Sequence, residues 1–145
     1  MIHLRPATPD DSEFLYQLKK QTLKRYIKET WGWDEEIQRP FHQKIFISQK
    51  YSIIQKSGKD IGCLSVEEQS EKIILNIIEI HPKYQNKGIG SSLIRNLIRK
   101  GLYDKKPIEL QVLKMNQRAL KLYKTLGFTL RGETETQYQM VHQIE

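Results

Sequence analysis

Gln85, Gly88 and Gly90 stand in the order Gln-x-x-Gly-x-Gly, after an apolar run at residues 73–80 and before a helical pattern. This arrangement suits phosphate binding. Pro82 cannot extend a ladder and pushes His81 into an extended conformation, so the run ends there. A glycine-containing loop then feeds a helix N-terminus, where the free N–H groups of the first turn and the helix dipole point at the same spot. Gly88 and Gly90 let a ligand approach the backbone, and Lys83 and Lys87 add positive charge. Neither G-x-x-x-x-G-K-[ST] nor G-x-G-x-x-G is present, so this is not one of the two common phosphate loops.

The loop needs a strand before it and a helix after it, and the rest of the chain supplies a sheet around them. Residues 2–6 alternate as a short edge strand, and Thr8 or Asp10 can cap a helix starting near Pro9. Phe14, Leu15, Leu18, Leu23 and Ile27 form its apolar stripe, which Trp31-Gly32-Trp33 interrupts. Asp34 caps a second helix with Ile37, Phe41, Ile45 and Phe46 expected on one face and Pro40 expected to kink or divide it. Strands are expected at 51–55, 61–66 and 73–80, spaced as an antiparallel meander. The helix after the loop is expected over 87–101, stopping at Gly101. A strand at 108–112 follows, then a helix capped by Asn116 and ended by Gly127, then a hairpin over 128–132 and 138–141. The order is β-α-α-β-β-β-α-β-α-β-β, a mixed α/β sheet whose middle β-α-β unit is a parallel crossover.

The 145 residues suit one domain, expected to span 1–145. No window approaches the ~18 consecutive apolar residues of a spanning helix, and the first residues lack a signal-peptide layout. Cys63 is the single cysteine, so no intrachain disulfide or CxxC site can form, and a cytoplasmic location is expected. Cys63 itself reads as a small core residue. The four histidines, His3, His42, His81 and His142, have no metal-ligand spacing, and no metal is expected. A net charge of +7 invites a nucleic-acid reading. Between His81 and Lys106, however, seven cations stand against Asp104 alone, a net of +6 around the proposed phosphate loop. A polyanionic cofactor explains that excess as well as a nucleic acid does.

Residues 85–90 resemble the pyrophosphate motif Q/R-x-x-G-x-G/A of the GCN5-related N-acetyltransferase (GNAT) family. Asn116-Gln117-Arg118-Ala119-Leu120-Lys121-Leu122-Tyr123-Lys124-Thr125-Leu126-Gly127-Phe128 resembles the same family's N-x-x-A-x-x-L-Y-x-x-x-G-F segment. The element order is that of the GNAT fold, and the resemblance extends over essentially the whole chain. Trp31-Gly32-Trp33-Asp34-Glu35 and the tail from Gly132 resemble a bacterial subgroup with poorly defined acceptors.

The resemblance implies acetyl transfer from acetyl-CoA to a primary amine, without a covalent enzyme intermediate. Backbone N–H groups of Gln85, Asn86, Lys87, Gly88, Ile89, Gly90 and Ser91 would hold the pyrophosphate. Ile78 and Ile80 would offer backbone groups to the pantetheine arm, with the Ile80 N–H near the thioester oxygen. Tyr123 would protonate the departing thiolate, a role that a phenol of ordinary pKa near 10 suits. Asn116 reads both as an N-cap and as a cofactor contact. Glu79 points away from the Ile78 and Ile80 side chains. It reads either as the base that takes the amine proton through water or as an ion-paired carboxylate, with Glu67 and Glu68 as rivals. In the ribosomal-protein N-terminal acetyltransferases a glutamate sits on the next strand. The matching position here is Gln111, which takes no proton, so that subgroup's mechanism does not transfer. Tyr26, Trp31 and Trp33 lie where the family roofs its acceptor site. They read as a cation–π wall for an amine or as helix packing. The acceptor is a small-molecule amine or a peptide or protein amine, and monomer and homodimer both fit. Two other readings stand beside the enzyme: a non-catalytic CoA-binding family member and a basic nucleic-acid-binding module.

Overall fold

The computed structural model describes residues 1–144. Its elements are β1 (Ile2–Pro6), α1 (Ser12–Trp31), α2 (Glu35–Ser48), β2 (Ser52–Lys56), β3 (Lys59–Glu68), β4 (Ile73–Ile80), α3 (Ile89–Asp104), β5 (Ile108–Leu113), α4 (Gln117–Thr125), β6 (Thr129–Glu133) and β7 (Gln137–His142). Short 3-10 turns at Pro9–Asp11 and Pro82–Tyr84 precede α1 and α3. The strands form one seven-stranded mixed sheet in the order β1-β2-β3-β4-β5-β7-β6. The element order and the parallel pairing of β4 with β5 are those expected from the sequence.

The chain gathers into two compact units, one of Met1–Ser65 with Ile77–Ile89, the other of Val66–Asn76 with the chain from Gly90 onward. In the first, β1 pairs antiparallel with β2 and β2 with β3. Leu15 and Leu18 of α1 are buried with Ile53 and Cys63, and Ala7, Phe14, Phe46, Tyr51 and Ile77 pack on them. In the second, β4 pairs with β5 in parallel from Ile73 opposite Ile108 to Leu75 opposite Leu110. There β5 pairs antiparallel with β7, and β7 with β6, over a buried set that includes Ile94, Ile108, Leu110, Leu120, Phe128 and Met140.

Three expectations change. The inner face of α2 is only partly the one that hydropathy indicates: Phe46 packs on the core, but Ile37 and Phe41 are 64% and 50% exposed and His42 is buried. The His42 ring lies 5.3 Å from Tyr16 and 6.3 Å from Phe46, and its Nε2 is 2.9 Å from the Ser12 carbonyl oxygen. A polar ring satisfied in this way packs as well as an apolar one. Pro40 does not divide α2, which runs unbroken from Glu35. Nor does Gly101 end α3, which continues to Asp104. The left-handed residue beyond its end is Lys105, with φ 57°. Gly101 serves a close approach instead, because a Cβ there would stand 2.7 Å from the Lys106 carbonyl oxygen.

Candidate functional site

The loop after β4 is built from a few local contacts. The His81 N–H donates to the Ile61 carbonyl at 2.8 Å, so this edge of β4 faces β3. Backbone polar groups alternate along a strand, which turns the N–H groups of Ile78 and Ile80 to the other edge. The Gln85 side chain reaches back and donates to the Ile80 carbonyl at 2.8 Å, tying the loop to the strand it leaves. The chain then passes through two left-handed residues, Asn86 at φ 61° and Gly88 at φ 81°, and enters α3 at Ile89. Nothing lies within 4 Å of where a Gly88 Cβ would be, so the backbone there is open to a ligand. Asn86, Lys87 and Gly88 are exposed, and Gly90 and Ser91 open the first turn of α3. Four such N–H groups have no intrahelical acceptor. Exposed donors, a helix dipole and an open glycine form a donor set that fits a diphosphate.

Glu79 lies in the first unit, one residue before Ile80, and is 8% exposed. It follows Ile77 by two, so both side chains share a face of β4, and Ile77 packs on Leu15 and Leu18 of α1. Burial raises the Glu79 carboxyl to about 7, against the opposing pull of the Lys19 ammonium and the Thr22 hydroxyl. Burial in turn lowers the Lys19 pKa, and Glu79 raises it. Lys19 and Thr22 are functional candidates that the sequence did not reveal. Their i, i+3 spacing puts them on one face of α1, but only the fold brings that face to β4. Cys63 is buried with Leu15 and Leu18, and burial pushes its thiol well above the usual range.

Tyr26 and Trp31 lie in the last turns of α1 and Trp33 just beyond it, and two of the three rings are already covered. The Lys24 ammonium lies 5.6 Å over Trp33, and the Arg25 guanidinium 5.2 Å over Tyr26. The Trp33 indole N–H donates to Glu35, which also accepts from the Tyr16 hydroxyl at 2.9 Å. Trp31 is 59% exposed.

In the second unit, Asn116 caps α4, its side chain accepting from the Ala119 N–H at 3.1 Å. Tyr123 on that helix is 8% exposed, and desolvation raises its phenol to about 12. Its ring meets Phe128 edge-on at 5.7 Å, and Phe128 meets His142 at 5.4 Å. Gly127, at φ 100°, admits the His142 ring, whose Nε2 is 3.2 Å from where a Cβ would stand. Among the described residues, five basic side chains of this unit are paired with carboxylates. Lys100 and Lys106 pair with Glu68, Lys72 and Arg131 with Glu109, and Lys114 with Glu133.

Residues 46–130 match the model of the acetyltransferase (GNAT) domain. The chain belongs to the GNAT family. Solved GNAT structures share its fold: the PaiA N-acetyltransferase of Thermoplasma acidophilum, in complex with coenzyme A, superposes with a TM-score of 0.77 at 16% identity over 99% of both chains. Among sequence relatives, the spore coat polysaccharide biosynthesis protein SpsD of Bacillus subtilis (strain 168) is 24% identical over 141 residues, 88% of this chain and 47% of the relative. The spermine/spermidine N(1)-acetyltransferase of the same organism is 31% identical over 71 residues, 48% of this chain and 47% of the relative. The chain thus spans about half the length of the curated relatives it matches. Among the described residues no helix is long and apolar enough to cross a membrane, and no group of three His, Cys, Asp or Glu side chains could hold a metal.

Proposed function

We propose that this GNAT chain is one catalytic domain, spanning 1–145, that moves an acetyl group from acetyl-CoA directly to a primary amine in the cytoplasm. The observation that carries the reading is the loop: Gln85 locked onto Ile80, two left-handed residues, and an open Gly88 at the N-terminus of α3. Backbone donors of residues 85–91 hold the pyrophosphate, with Lys87 beside it. The outer edge of β4 at Ile78 and Ile80 takes the pantetheine arm, and Asn116 adds a contact while capping α4. Bound acetyl-CoA supplies the thioester whose carbonyl carbon the amine attacks.

The protein's own residues then handle two protons. Glu79, poised near neutrality, takes the proton that the amine must lose, for an alkylamine arrives charged at pH 7. Tyr123, with its pKa raised to about 12, still carries its proton at that pH and gives it to the leaving thiolate. A C–N bond forms and the C–S bond breaks; the second proton, shed by the nitrogen as the amide forms, replaces the one that Tyr123 gave up, and Glu79 releases its own to solvent. At the acceptor end, exposed Trp31 is the ring with room for a ligand, whereas Tyr26 and Trp33 shape the wall beneath cations of their own.

The test is thermal stability with acetyl-CoA, CoA and ATP. A ligand at a hundred times its dissociation constant stabilises by about 2.7 kcal/mol if it binds only the folded state. A rise with acetyl-CoA and CoA but not ATP supports the reading, and no rise with either acetyl-CoA or CoA overturns it. Thiol release on an amine panel then separates an enzyme from a CoA-binding protein without turnover.

A further inference from the structure

Aromatic rings at an amine site suggest capture of a cation, but two rings at the α1–α2 turn already hold cations of the chain itself. The Lys24 ammonium sits 5.6 Å over Trp33, and the Arg25 guanidinium sits 5.2 Å over Tyr26. What these rings present to a ligand is therefore positive charge. From Lys19 to Trp33 five cations, Lys19, Lys20, Lys24, Arg25 and Lys28, stand against Glu29 alone. Helical spacing sorts them. Lys20, Lys24, Lys28 and Trp31 follow at i, i+4, i+8 and i+11 and share one face of α1, whereas Arg25 stands one turn before Glu29. In the turn beyond, the Asp34 carboxylate accepts from the Glu36 N–H, and Glu35 pairs with Lys20 at 3.5 Å. Glu36 is exposed. Among the described residues, no ion pair engages Lys24 or Lys28.

Lys24 is also held in place. The indole beneath it is fixed by its N–H on Glu35, and Glu35 accepts in turn from the Tyr16 hydroxyl at 2.9 Å. Tyr16 is 1% exposed, so this chain of contacts is rooted in the core. A free surface lysine loses side-chain entropy when it meets an anion, and one already resting on a fixed ring loses less. Lys28 precedes Trp31 by one helical turn, and both are exposed. An unpaired ammonium thus stands beside the ring that has room for a ligand.

We propose that the acceptor carries an acidic group, a phosphate or a carboxylate, near the amine that is acetylated, and that Lys24 and Lys28 hold this group beside Trp31. The inference rests on the reading of this turn as the acceptor wall of an acetyltransferase. It sets polyamines aside, because their further positive charges meet like charge on this face.

The experiment measures thiol release from acetyl-CoA with matched pairs of amines that differ in the acidic group. The pairs are ethanolamine and phosphoethanolamine, tyramine and tyrosine, and butylamine and γ-aminobutyrate, with spermidine beside them. In at least one pair the acid-bearing member is expected to show kcat/KM about tenfold above its partner, through a lower KM, the size of a charge-assisted contact. Lys24→Met removes that preference, Lys24→Arg keeps it, and high salt narrows it. Equal or reversed rates in every pair overturn the proposal, as does a preference for spermidine. A preference that survives Lys24→Met combined with Lys28→Met overturns it too. Binding is read separately by tryptophan emission, since Trp31 and Trp33 are the two tryptophans of the chain. If an acid-bearing probe changes the emission, Lys24→Met abolishes the change, and no amine releases thiol, the acetyltransferase reading falls and the anion site stands. If no acid-bearing probe changes the emission and none releases thiol, the proposal is overturned.

Discussion

Tyr123 and Glu79 are shifted in the same direction by the same cause, and the consequences differ. Desolvation keeps the Tyr123 phenol protonated to about pH 12, so Tyr123→Phe should lower turnover about a hundredfold while acetyl-CoA affinity stays within about twofold. Steady-state rates beside a cofactor titration check this. For Glu79 the shift is a stability statement. The folded state holds the proton up to about 7, the unfolded state only to about 4.5, so between those values the folded protein binds more protons and stability falls as pH rises. Glu79→Gln removes that cost. It should leave stability unchanged at pH 4 and raise it at pH 8 by up to roughly 3 kcal/mol, read by urea unfolding. The loop residues and Tyr123 were legible in the sequence because each sits in a local pattern. The partners of Glu79 were not, because Lys19 and Thr22 come before two strands and a helix that intervene in the chain. Nothing local to either segment marks that they meet.

Elements were legible where hydropathy and packing agree, as in α3, whose Ile89 and Ile94 are buried as its period requires. They were misread where a polar group packs inside or a glycine serves a neighbour. His42 takes an inner place on α2 where Ile37 and Phe41 were expected, and Gly101 makes room for the Lys106 carbonyl instead of ending a helix. Gly62 is a second case of room for backbone. A Cβ there would stand 2.3 Å from the Glu79 carbonyl oxygen, so Gly62→Ala must push β3 away from β4. The expected loss is about 3 kcal/mol by urea unfolding, and an unchanged midpoint would contradict the close approach. Gly88 is the opposite situation, with open space but a left-handed backbone. Gly88→Val should cost about 1–3 kcal/mol from conformation alone and weaken acetyl-CoA binding about tenfold or more, seen by calorimetry.

At the scale of the molecule, the element order and the parallel step from β4 to β5 followed from the spacing of turns and apolar runs, whereas the place of β7 between β5 and β6 in the sheet had no local signal. The division into two compact units was not legible, since β3 and β4 each run through it without any change of composition. One residue of the edge strand holds three separate segments of the first unit. Arg5 grips Asp11 with both guanidinium nitrogens, at 2.8 and 2.9 Å, and Asp60 in the hairpin between β2 and β3 at 3.0 Å. This grip holds the Asp11 pKa down to about 2, so its contribution is present above about 3.8 and lost as pH falls through about 2. Asp11→Ala should therefore lower stability by about 2 kcal/mol at pH 7 and hardly at all at pH 2, by urea unfolding at both. Trimming is where this feature would be felt most. A protease that removed the first five residues would take away most of β1 and leave two carboxylates facing an empty place, whereas a tag added ahead of Met1, which is 91% exposed, would disturb neither.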